Sequence, residues 1–219
     1  MIISSLLHFL LFIAIVFLSA GRLDYWQGWV FCLTVFTMFL LALKIFKGKS
    51  GLIKERLKPG PGVKWWDKIL LVLYISSFMA ILVVAGLDAG RLRFTPEIPL
   101  PLYVMSYIFF VISYSFTFWA MYVNRFFSSA VRIQKDRGQE VVESGPYSFI
   151  RHPGYLSGIL GGINAAIVLG SSLALIPATI SAIIFIIRAG LEDELLKKEL
   201  PGYADYAKKV KFRLVPGIW

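Results

Sequence analysis

Residues 145–158, with the sequence GPYSFIRHPGYLSG, place an arginine and a histidine directly before a long apolar stretch. Pro153 disfavours helical backbone at His152 and suits the first turn of a helix that follows. Arg151 and His152 are therefore predicted just before a helix N-terminus, where free N–H groups and the helix dipole favour an anion such as a carboxylate or a phosphate. The alternative is that both residues only anchor the helix at the lipid head groups.

A second group of ionisable residues, in the sequence RAGLEDEL, begins at Arg188 where another apolar stretch ends. Arg188 and Glu192 are four residues apart, so they share one face of a helix and can form an ion pair. A charge in this place is costly unless it has a partner or a task. The carboxylates of Glu192, Asp193 and Glu194 could accept hydrogen bonds from an ammonium or a ribose, or they could form a solvated turn outside the membrane.

The elements that carry these residues are predicted to be membrane helices, since 58% of the 219 residues are hydrophobic and they occur in blocks. About 20 residues in a helix cross the hydrocarbon core. We expect an all-α fold, a polytopic membrane helix bundle with about six transmembrane segments. The blocks are residues 2–20, 26–46, 68–87, 100–123, 155–170 and 172–190. The fifth block is short and rich in glycine, which would let a neighbouring helix or a ligand approach closely.

The last two blocks are separated only by the sequence GSS, residues 170–172, and are predicted to form a tight helical hairpin. Such a hairpin would bring residues 124–155 and 188–219 together at one membrane face. Two ionisable segments that converge beside an apolar pocket are a candidate site. The sequence LPGYADYAKK, residues 200–209, is expected to form an amphipathic helical segment on the cytoplasmic surface.

The distribution of positive charge predicts the orientation. With six crossings, all of the 23 Lys and Arg residues except Arg22, Arg91 and Arg93 lie on the same side as the N-terminus. Because Lys and Arg concentrate in cytoplasmic loops, both termini and the candidate site are expected in the cytoplasm. The net charge of +10 is then explained by topology and by attraction to anionic membrane lipids, and a nucleic-acid partner is not indicated.

Metal chemistry is not predicted. The chain has one cysteine, Cys32, and two histidines, His8 and His152, which lie far apart. No combination of these residues has the spacing of metal ligands. His8 is expected to be a packing or interfacial residue of the first helix.

Taken together, the two ionisable segments resemble the superfamily of isoprenylcysteine carboxyl methyltransferases and phospholipid methyltransferases, which are membrane proteins. The resemblance covers residues 124–219. It rests on GPYSFIRHPGY, on the Arg-x-x-x-Glu-acid-x-x-Leu element that begins at Arg188, on a Tyr-x-x-Tyr pair and on RLVPGIW near the end. Residues 1–123 carry no comparable motif. They are expected to form a four-helix region for substrate access, next to a cofactor-binding and catalytic region over 124–219.

The resemblance implies S-adenosylmethionine as cofactor, bound without the Rossmann fold of soluble methyltransferases. Arg188 and Glu192 match the family positions nearest the reacting groups. The cofactor-binding residues that the resemblance implies are Gln134, Gly145, Tyr147, Arg151, His152, Pro153, Tyr155, Glu192 and Asp193.

The sequence departs from the family pattern at two positions. Its acidic pair is Glu192–Asp193, where two glutamates are usual, so that Glu194 could take the place of Asp193. Gln139 stands where many relatives have a histidine, and this leaves the substrate less defined than the cofactor.

The implied function is methyl transfer to a lipophilic acceptor, with an isoprenylcysteine-type carboxylate as first candidate. Arg188 could orient the attacking oxygen of a carboxylate, whereas a phospholipid amine or a small thiol would need a base, for which Glu192 is the nearest candidate. Two alternatives come from other classes. One is an NADPH-dependent membrane reductase of the steroid-reductase type, and the other is a lipid-binding or scaffolding protein without catalysis.

Overall fold

The structure is a computed structural model that describes residues 2–57 and 59–219, except for the side chains of residues 2–8, 50, 54 and 57. Within this part of the chain the regular elements are all helical, which confirms the all-α prediction. The α-helices are α1 (Ile2–Ala20), α2 (Trp26–Ile45), α3 (Ser50–Leu57), α4 (Trp65–Ala85), α5 (Leu100–Val123), α6 (Pro153–Val168), α7 (Leu175–Glu199) and α8 (Tyr203–Lys209). The side chain of His8, for which packing was expected, lies outside the described residues.

Among the described residues, four helical stretches are long and apolar enough to cross a membrane: Trp26–Ile45, Trp65–Leu92, Leu100–Val123 and Leu175–Glu199. The second of these is α4 extended by the π-helical segment Gly86–Leu92. Helix α6 has 16 residues, a rise of about 24 Å, which is shorter than a hydrocarbon core of about 30 Å. The structure therefore supports four spans, and the predicted count of six with a tight final hairpin stays a prediction.

The helices that position the ionisable segments pack side by side, α5 against α6, α6 against α7, and α7 against α4. Aromatic and aliphatic side chains of these helices and of α1 and α2, such as Phe31, Ile81 and Phe110, fill the interior. Helix α7 does not stop where its apolar residues end. It continues through the sequence RAGLEDEL to Glu199, because the alanine, leucine and glutamate residues of that stretch favour a helix and outweigh Gly190, and so carries the ionisable residues beyond the apolar layer on a rigid support.

The segment between α5 and α6, residues 124–152, contains only two short 3-10 turns, Lys135–Arg137 and Gly145–Ser148. It is nevertheless held tightly, since Phe126, Val131 and Gln134 are almost completely buried. The segment ends at His152, which is the N-cap of α6, with Pro153 in the first turn. The predicted helix start at Pro153 is confirmed.

The C-terminal tail fixes the backbone of this helix start. The N–H of Arg151 donates to the carbonyl of Phe212 at 3.0 Å, and the N–H of His152 donates to the carbonyl of Arg213 at 2.9 Å. The orientation of the Arg-His pair is therefore set by residues about 60 positions further along the chain.

Candidate active site

A cavity of about 110 Å³ lies between the segment 124–142, the start of α6 and the end of α7. Residues from all three elements form its walls, although they are distant in sequence. The walls contain these cofactor residues implied by the resemblance: Gln134, Tyr147, Arg151, His152, Pro153, Tyr155 and Glu192. Gln139, at the position of the family histidine, lines the same cavity. We call this the first cavity.

Two of the implied cofactor residues, Gly145 and Asp193, do not line the first cavity. Gly145 has a φ of 60° and opens the 3-10 turn that carries Tyr147. A Cβ at this glycine would lie 2.9 Å from the side chain of Val123 in α5. Because only glycine adopts this backbone conformation without strain and fits against α5, its place in the structure is that of a turn residue.

Asp193 is completely buried behind the wall of the first cavity and is surrounded by cations. Arg151 donates to both of its carboxylate oxygens, at 2.6 and 3.0 Å. The Nε of Arg213 and the Nζ of Lys197 lie 3.0 and 2.9 Å from Oδ2. The hydroxyl of Tyr203 donates to Oδ1 at 3.0 Å. A buried carboxylate needs such partners, and these bonds hold Arg151 in place.

Glu194, the possible substitute for Asp193, faces away from the first cavity. Its half-exposed side chain lies 3.1 Å from the Nζ of Lys197 and 3.3 Å from the Nη2 of Arg213. Neither member of the Asp193–Glu194 pair therefore contacts the first cavity, and Glu192 is the acid of α7 that does.

The two tyrosines of the Tyr-x-x-Tyr motif in α8 stabilise the wall of the first cavity through their hydroxyl groups. Tyr203 bonds Asp193, as above, and the hydroxyl of Tyr206 donates to the carbonyl of Tyr147 at 2.7 Å. Burial raises the pKa of the Tyr147 hydroxyl, so this wall residue is neutral at physiological pH. Burial lowers the pKa of Arg151, but the hydrogen bonds to Asp193 and the negative charge of its carboxylate together raise the pKa above its ordinary value, so the guanidinium remains charged.

His152 has an unsatisfied nitrogen. Its Nε2 lies 3.5 Å from Oδ1 of Asp193, and its Nδ1 lies 3.7 Å from Oε2 of Glu192, both beyond normal hydrogen-bond length. Among the described residues Nε2 has no hydrogen-bond partner, although it is buried. The ring stacks on Tyr155, with centroids 5.5 Å apart and planes 6° from parallel. A buried polar atom of this kind calls for a bound group that pairs with it.

Gln134 is bonded within the segment 124–142. Its side-chain amide donates to the carbonyl of Phe126 at 2.6 Å, and its oxygen accepts a hydrogen bond from Arg137. Its backbone N–H donates to the side-chain oxygen of Gln139 at 2.6 Å. Both glutamines thus shape the cavity wall through contacts with their own loop.

Arg188 does not pair with Glu192, as the spacing on the helix suggested. Its guanidinium donates to both carboxylate oxygens of Asp67, at 2.6 and 3.1 Å, and to the carbonyl of Ser129 at 2.6 Å. Asp67 is fully buried and also accepts from the N–H of Val131 at 2.7 Å. The packing of α4 against α7 brings Asp67 closer to the guanidinium than Glu192 comes.

Sequence reasoning missed Asp67. The signal for it was present, because an acidic residue at the start of an apolar run is costly unless it has a partner or a task. It stands in the sequence WWDK at the N-terminus of α4, where a carboxylate is also favoured by the helix dipole.

A second and larger cavity, of about 480 Å³, lies between α4, α5, α6 and α7. Its walls are mainly aromatic and aliphatic. The fifth apolar block contributes Gly158, Gly161 and Gly162, in agreement with the expectation that its glycines leave room for a ligand. We call this the second cavity.

The two cavities adjoin, since Phe127, Ser128, Gly154 and Tyr155 line both of them. Arg188 is on the wall of the second cavity and Glu192 on the wall of the first. The Cζ of Arg188 lies 5.2 Å from the ring centroid of Tyr155. The two residues implied as catalytic therefore flank the junction from opposite sides, one cationic and one anionic.

No group of three or more His, Cys, Asp or Glu side chains suited to a metal ion occurs among the residues that the structure describes. What the site offers is a polar and aromatic cavity that adjoins an apolar one, with ionisable side chains at their boundary.

Comparisons with known proteins find similarity to part of this chain. Residues 105–198 match the model of the isoprenylcysteine carboxyl methyltransferase (ICMT) family. The chain is also 33% identical over 81 residues to the "Nickel-cobalt-cadmium resistance protein NccN" of Alcaligenes xylosoxydans xylosoxydans, and that alignment spans 36% of this chain and 38% of the relative. The matched residues 105–198 include Tyr155, Arg188 and Glu192, and over this part of the chain the family match confirms the resemblance to isoprenylcysteine carboxyl methyltransferases.

Proposed function

We propose that the protein is an integral membrane methyltransferase that uses S-adenosylmethionine and acts on a lipophilic acceptor. The observation that carries the proposal is the junction of a polar cavity with an apolar one, inside the segment that matches a methyltransferase family. The family match gives no support to a membrane reductase.

The residues of the first cavity suit the cofactor, which, when bound, supplies a methyl group already activated by its sulfonium. The unsatisfied Nε2 of His152 and the carboxylate of Glu192 can pair with polar and cationic groups. The rings of Phe126 and Tyr147 offer flat apolar surfaces for an adenine. The ligand that suits these side chains is zwitterionic at one end and aromatic at the other. The zwitterionic end would pair with the Glu192 carboxylate and the His152 nitrogen, and the aromatic end would pack on the two rings.

The residues at the junction suit an acceptor carboxylate, such as that of an isoprenylcysteine. Arg188 is oriented by Asp67 through its Nε and Nη2, and its Nη1 takes part in none of these bonds. Nη1 can therefore donate to an acceptor oxygen and hold it close to the methyl group, in a site from which the apolar walls exclude water.

Glu192 supports a second group of acceptors. Among the described residues the nearest basic nitrogen, Nδ1 of His152, lies 3.7 Å from its carboxylate, so Glu192 has no close ion pair. A carboxylate in this position can remove a proton from an amine or a small thiol. A phospholipid amine or a thiol is thus the alternative acceptor.

Both cavities are proposed to lie at the cytoplasmic face. The charge distribution puts the basic segments around Arg188 and α3 on that side. The cofactor would then enter from the cytoplasm, and the acceptor would enter the second cavity from between the helices.

The test is thermal stabilisation of the purified protein in detergent. We expect a rise in the unfolding midpoint with S-adenosylmethionine and with S-adenosylhomocysteine, because a ligand that binds only the folded state stabilises it. NADPH is expected to have no effect. Stabilisation by NADPH alone would overturn the proposal, whereas no response to any of the three ligands would favour a lipid-binding protein without catalysis. Transfer of a labelled methyl group to a membrane extract then identifies the acceptor.

A further inference from the structure

The second cavity has an uncompensated positive charge. Its described lining contains two guanidinium groups, those of Arg56 and Arg188, and no carboxylate. The charge of Arg188 is neutralised by the buried carboxylate of Asp67. Arg56 has no such partner among the described residues. The titratable groups that surround it are Tyr74, Arg188 and Tyr147, and burial among them lowers the pKa of its guanidinium.

Arg56 is held close to the junction of the two cavities. Its Cζ lies 5.0 Å from the ring centroid of Phe127, which lines both cavities. Its backbone carbonyl accepts a hydrogen bond from the hydroxyl of Ser129 at 2.9 Å. The preceding residue, Glu55, forms a bidentate pair with Arg132 at 2.8 and 3.0 Å. Helix α3 is thus fastened to the wall of the first cavity and presents Arg56 to the second.

Beyond Arg56 the second cavity continues along the helices as an apolar space. On α6 its lining extends from Gly154 to Gly162, and eight residues of helix rise by about 12 Å. Tyr74, Phe78 and Phe110 are among the side chains that face this space. A space with a cation at one end and hydrocarbon walls along its length has the shape and polarity of an amphiphile.

An anion at Arg56 would relieve the cost of its burial. A half-buried guanidinium whose charge contacts only an aromatic ring loses hydration that this contact replaces in small part. A planar anionic head group compensates for the lost hydration through two parallel charge-assisted hydrogen bonds to the guanidinium. A neutral head group offers weaker hydrogen bonds and leaves the charge uncompensated.

We propose that Arg56 binds the anionic head group of the lipophilic acceptor and selects anionic amphiphiles over neutral ones with the same tail. This inference rests on the proposed function, because it assigns the second cavity to the acceptor. It gives α3, in the part of the chain without recognisable motifs, a role in specificity.

The experiment measures binding of hexadecanoate and of hexadecanol to the full chain purified in a neutral detergent. We expect the wild-type protein to bind the carboxylate at least about tenfold more tightly, which corresponds to about 1.4 kcal/mol, since a hydrogen bond to a charged group is stronger than one to a neutral group. Arg56→Gln should remove most of the preference, and what is left comes from Arg188, which lines the same cavity. Arg56→Lys should keep part of it, because the charge remains while the fork geometry is lost. Lys208→Gln removes one charge from an exposed position on α8 and should leave the preference intact.

An undiminished preference for hexadecanoate in Arg56→Gln would overturn the inference, and so would equal binding of both amphiphiles by the wild-type protein. Arg56→Met keeps the apolar stem of the side chain and provides a second charge-free variant in case the glutamine variant does not fold. S-adenosylhomocysteine binding is measured on the same samples. A carboxylate preference that depends on Arg56 in a protein that binds no S-adenosylhomocysteine would refute the methyltransferase while leaving the head-group site in place.

Discussion

His152 and Asp193 are neighbours in space but contribute differently to the site. Asp193 accepts hydrogen bonds from Arg151 and Tyr203 and forms ion pairs with Lys197 and Arg213. Its carboxylate therefore stabilises the wall of the first cavity and is not available to a ligand. His152 lines the first cavity, and its buried Nε2 has no hydrogen-bond partner in the part of the chain that the structure describes. A family motif thus combines a residue that supports the wall with one that is available to a ligand.

At the residue scale we predict that His152→Ala and Glu192→Gln each weaken binding of S-adenosylhomocysteine by about tenfold, the equivalent of one lost hydrogen bond of about 1.4 kcal/mol. Both side chains line the first cavity, and neither makes a short bond that supports the fold. Isothermal titration calorimetry measures the affinity, and size-exclusion chromatography in detergent checks the folding.

The matched control is Glu194→Gln. It removes a carboxylate from the same turn of α7, but from a half-exposed side chain outside the first cavity. We expect its affinity to equal that of the wild-type protein. If His152→Ala and Glu192→Gln also bind S-adenosylhomocysteine with wild-type affinity, the assignment of the first cavity to the cofactor is wrong.

At the scale of elements, short irregular segments position the chemistry and long helices support it. Segment 124–152 forms one wall of the first cavity, and α3 is fastened to it by the buried pair of Glu55 with Arg132. Asp136 contacts the same guanidinium at 2.6 Å. The hydrogen bonds from Arg132 hold the pKa of the Glu55 carboxyl below its usual range. The tail from residue 210 fixes the start of α6 in a similar way.

We predict that Glu55→Gln lowers the free energy of unfolding by about 2 kcal/mol at neutral pH, because it removes one charge of a buried hydrogen-bonded pair. The folded-state pKa of Glu55 is lowered, so its contribution is complete above the ordinary glutamate pKa and is lost as the pH falls through the lowered value. The difference in unfolding midpoint between the wild type and the variant should therefore shrink as the pH decreases from 7 towards 3.

Asp205→Asn is the control for this element. It removes a carboxylate from an exposed pair with Lys208, and exposed pairs contribute little to stability. Its unfolding midpoint should follow that of the wild type at every pH. A Glu55→Gln variant with the same behaviour would mean that the pair with Arg132 does not hold α3 in place.

At the scale of the whole molecule, the ion pair of Asp67 with Arg188 joins the two halves of the chain. Asp67 lies at the start of α4, outside the segment that matches the family, and Arg188 lies within it. The pair also bonds Ser129 and Val131 of the segment between α5 and α6. Three elements distant in sequence therefore meet at the guanidinium that faces the second cavity.

We predict that Asp67→Asn reduces methyl transfer by at least about tenfold, since a loosened Arg188 no longer holds the acceptor in line. Affinity for S-adenosylhomocysteine should stay within about twofold of the wild-type value, because neither residue lines the first cavity. The measurements are calorimetric affinity and transfer of a labelled methyl group to the identified acceptor. Asp67 acts through Arg188, so this separation of binding from transfer is what marks it as a positioning residue.

The control for the whole-molecule prediction is Asp24→Asn, which changes an exposed acid beyond the other end of the bundle. Transfer by this variant should equal that of the wild type. Parallel loss of cofactor affinity and transfer in Asp67→Asn would instead indicate that the pair maintains the fold as a whole.

The sequence by itself determined the helical class and the helix start at Pro153, and its motifs pointed to seven of the residues that line the first cavity, because these follow from local patterns: apolar blocks, a proline position and a motif. Only the tertiary structure decided the partners of the charged side chains. Spacing on α7 suggested Glu192 for Arg188, yet the packing of α4 supplied Asp67 from 121 residues away. Asp193 turned from the cavity to Arg151 because that guanidinium, with Arg213 and Lys197, surrounds it in the interior. Ion pairs in a low-dielectric interior depend on which groups come within a few ångströms of each other. The spacing of residues along one helix does not determine the distances from that helix to its neighbours, so it does not determine these pairs.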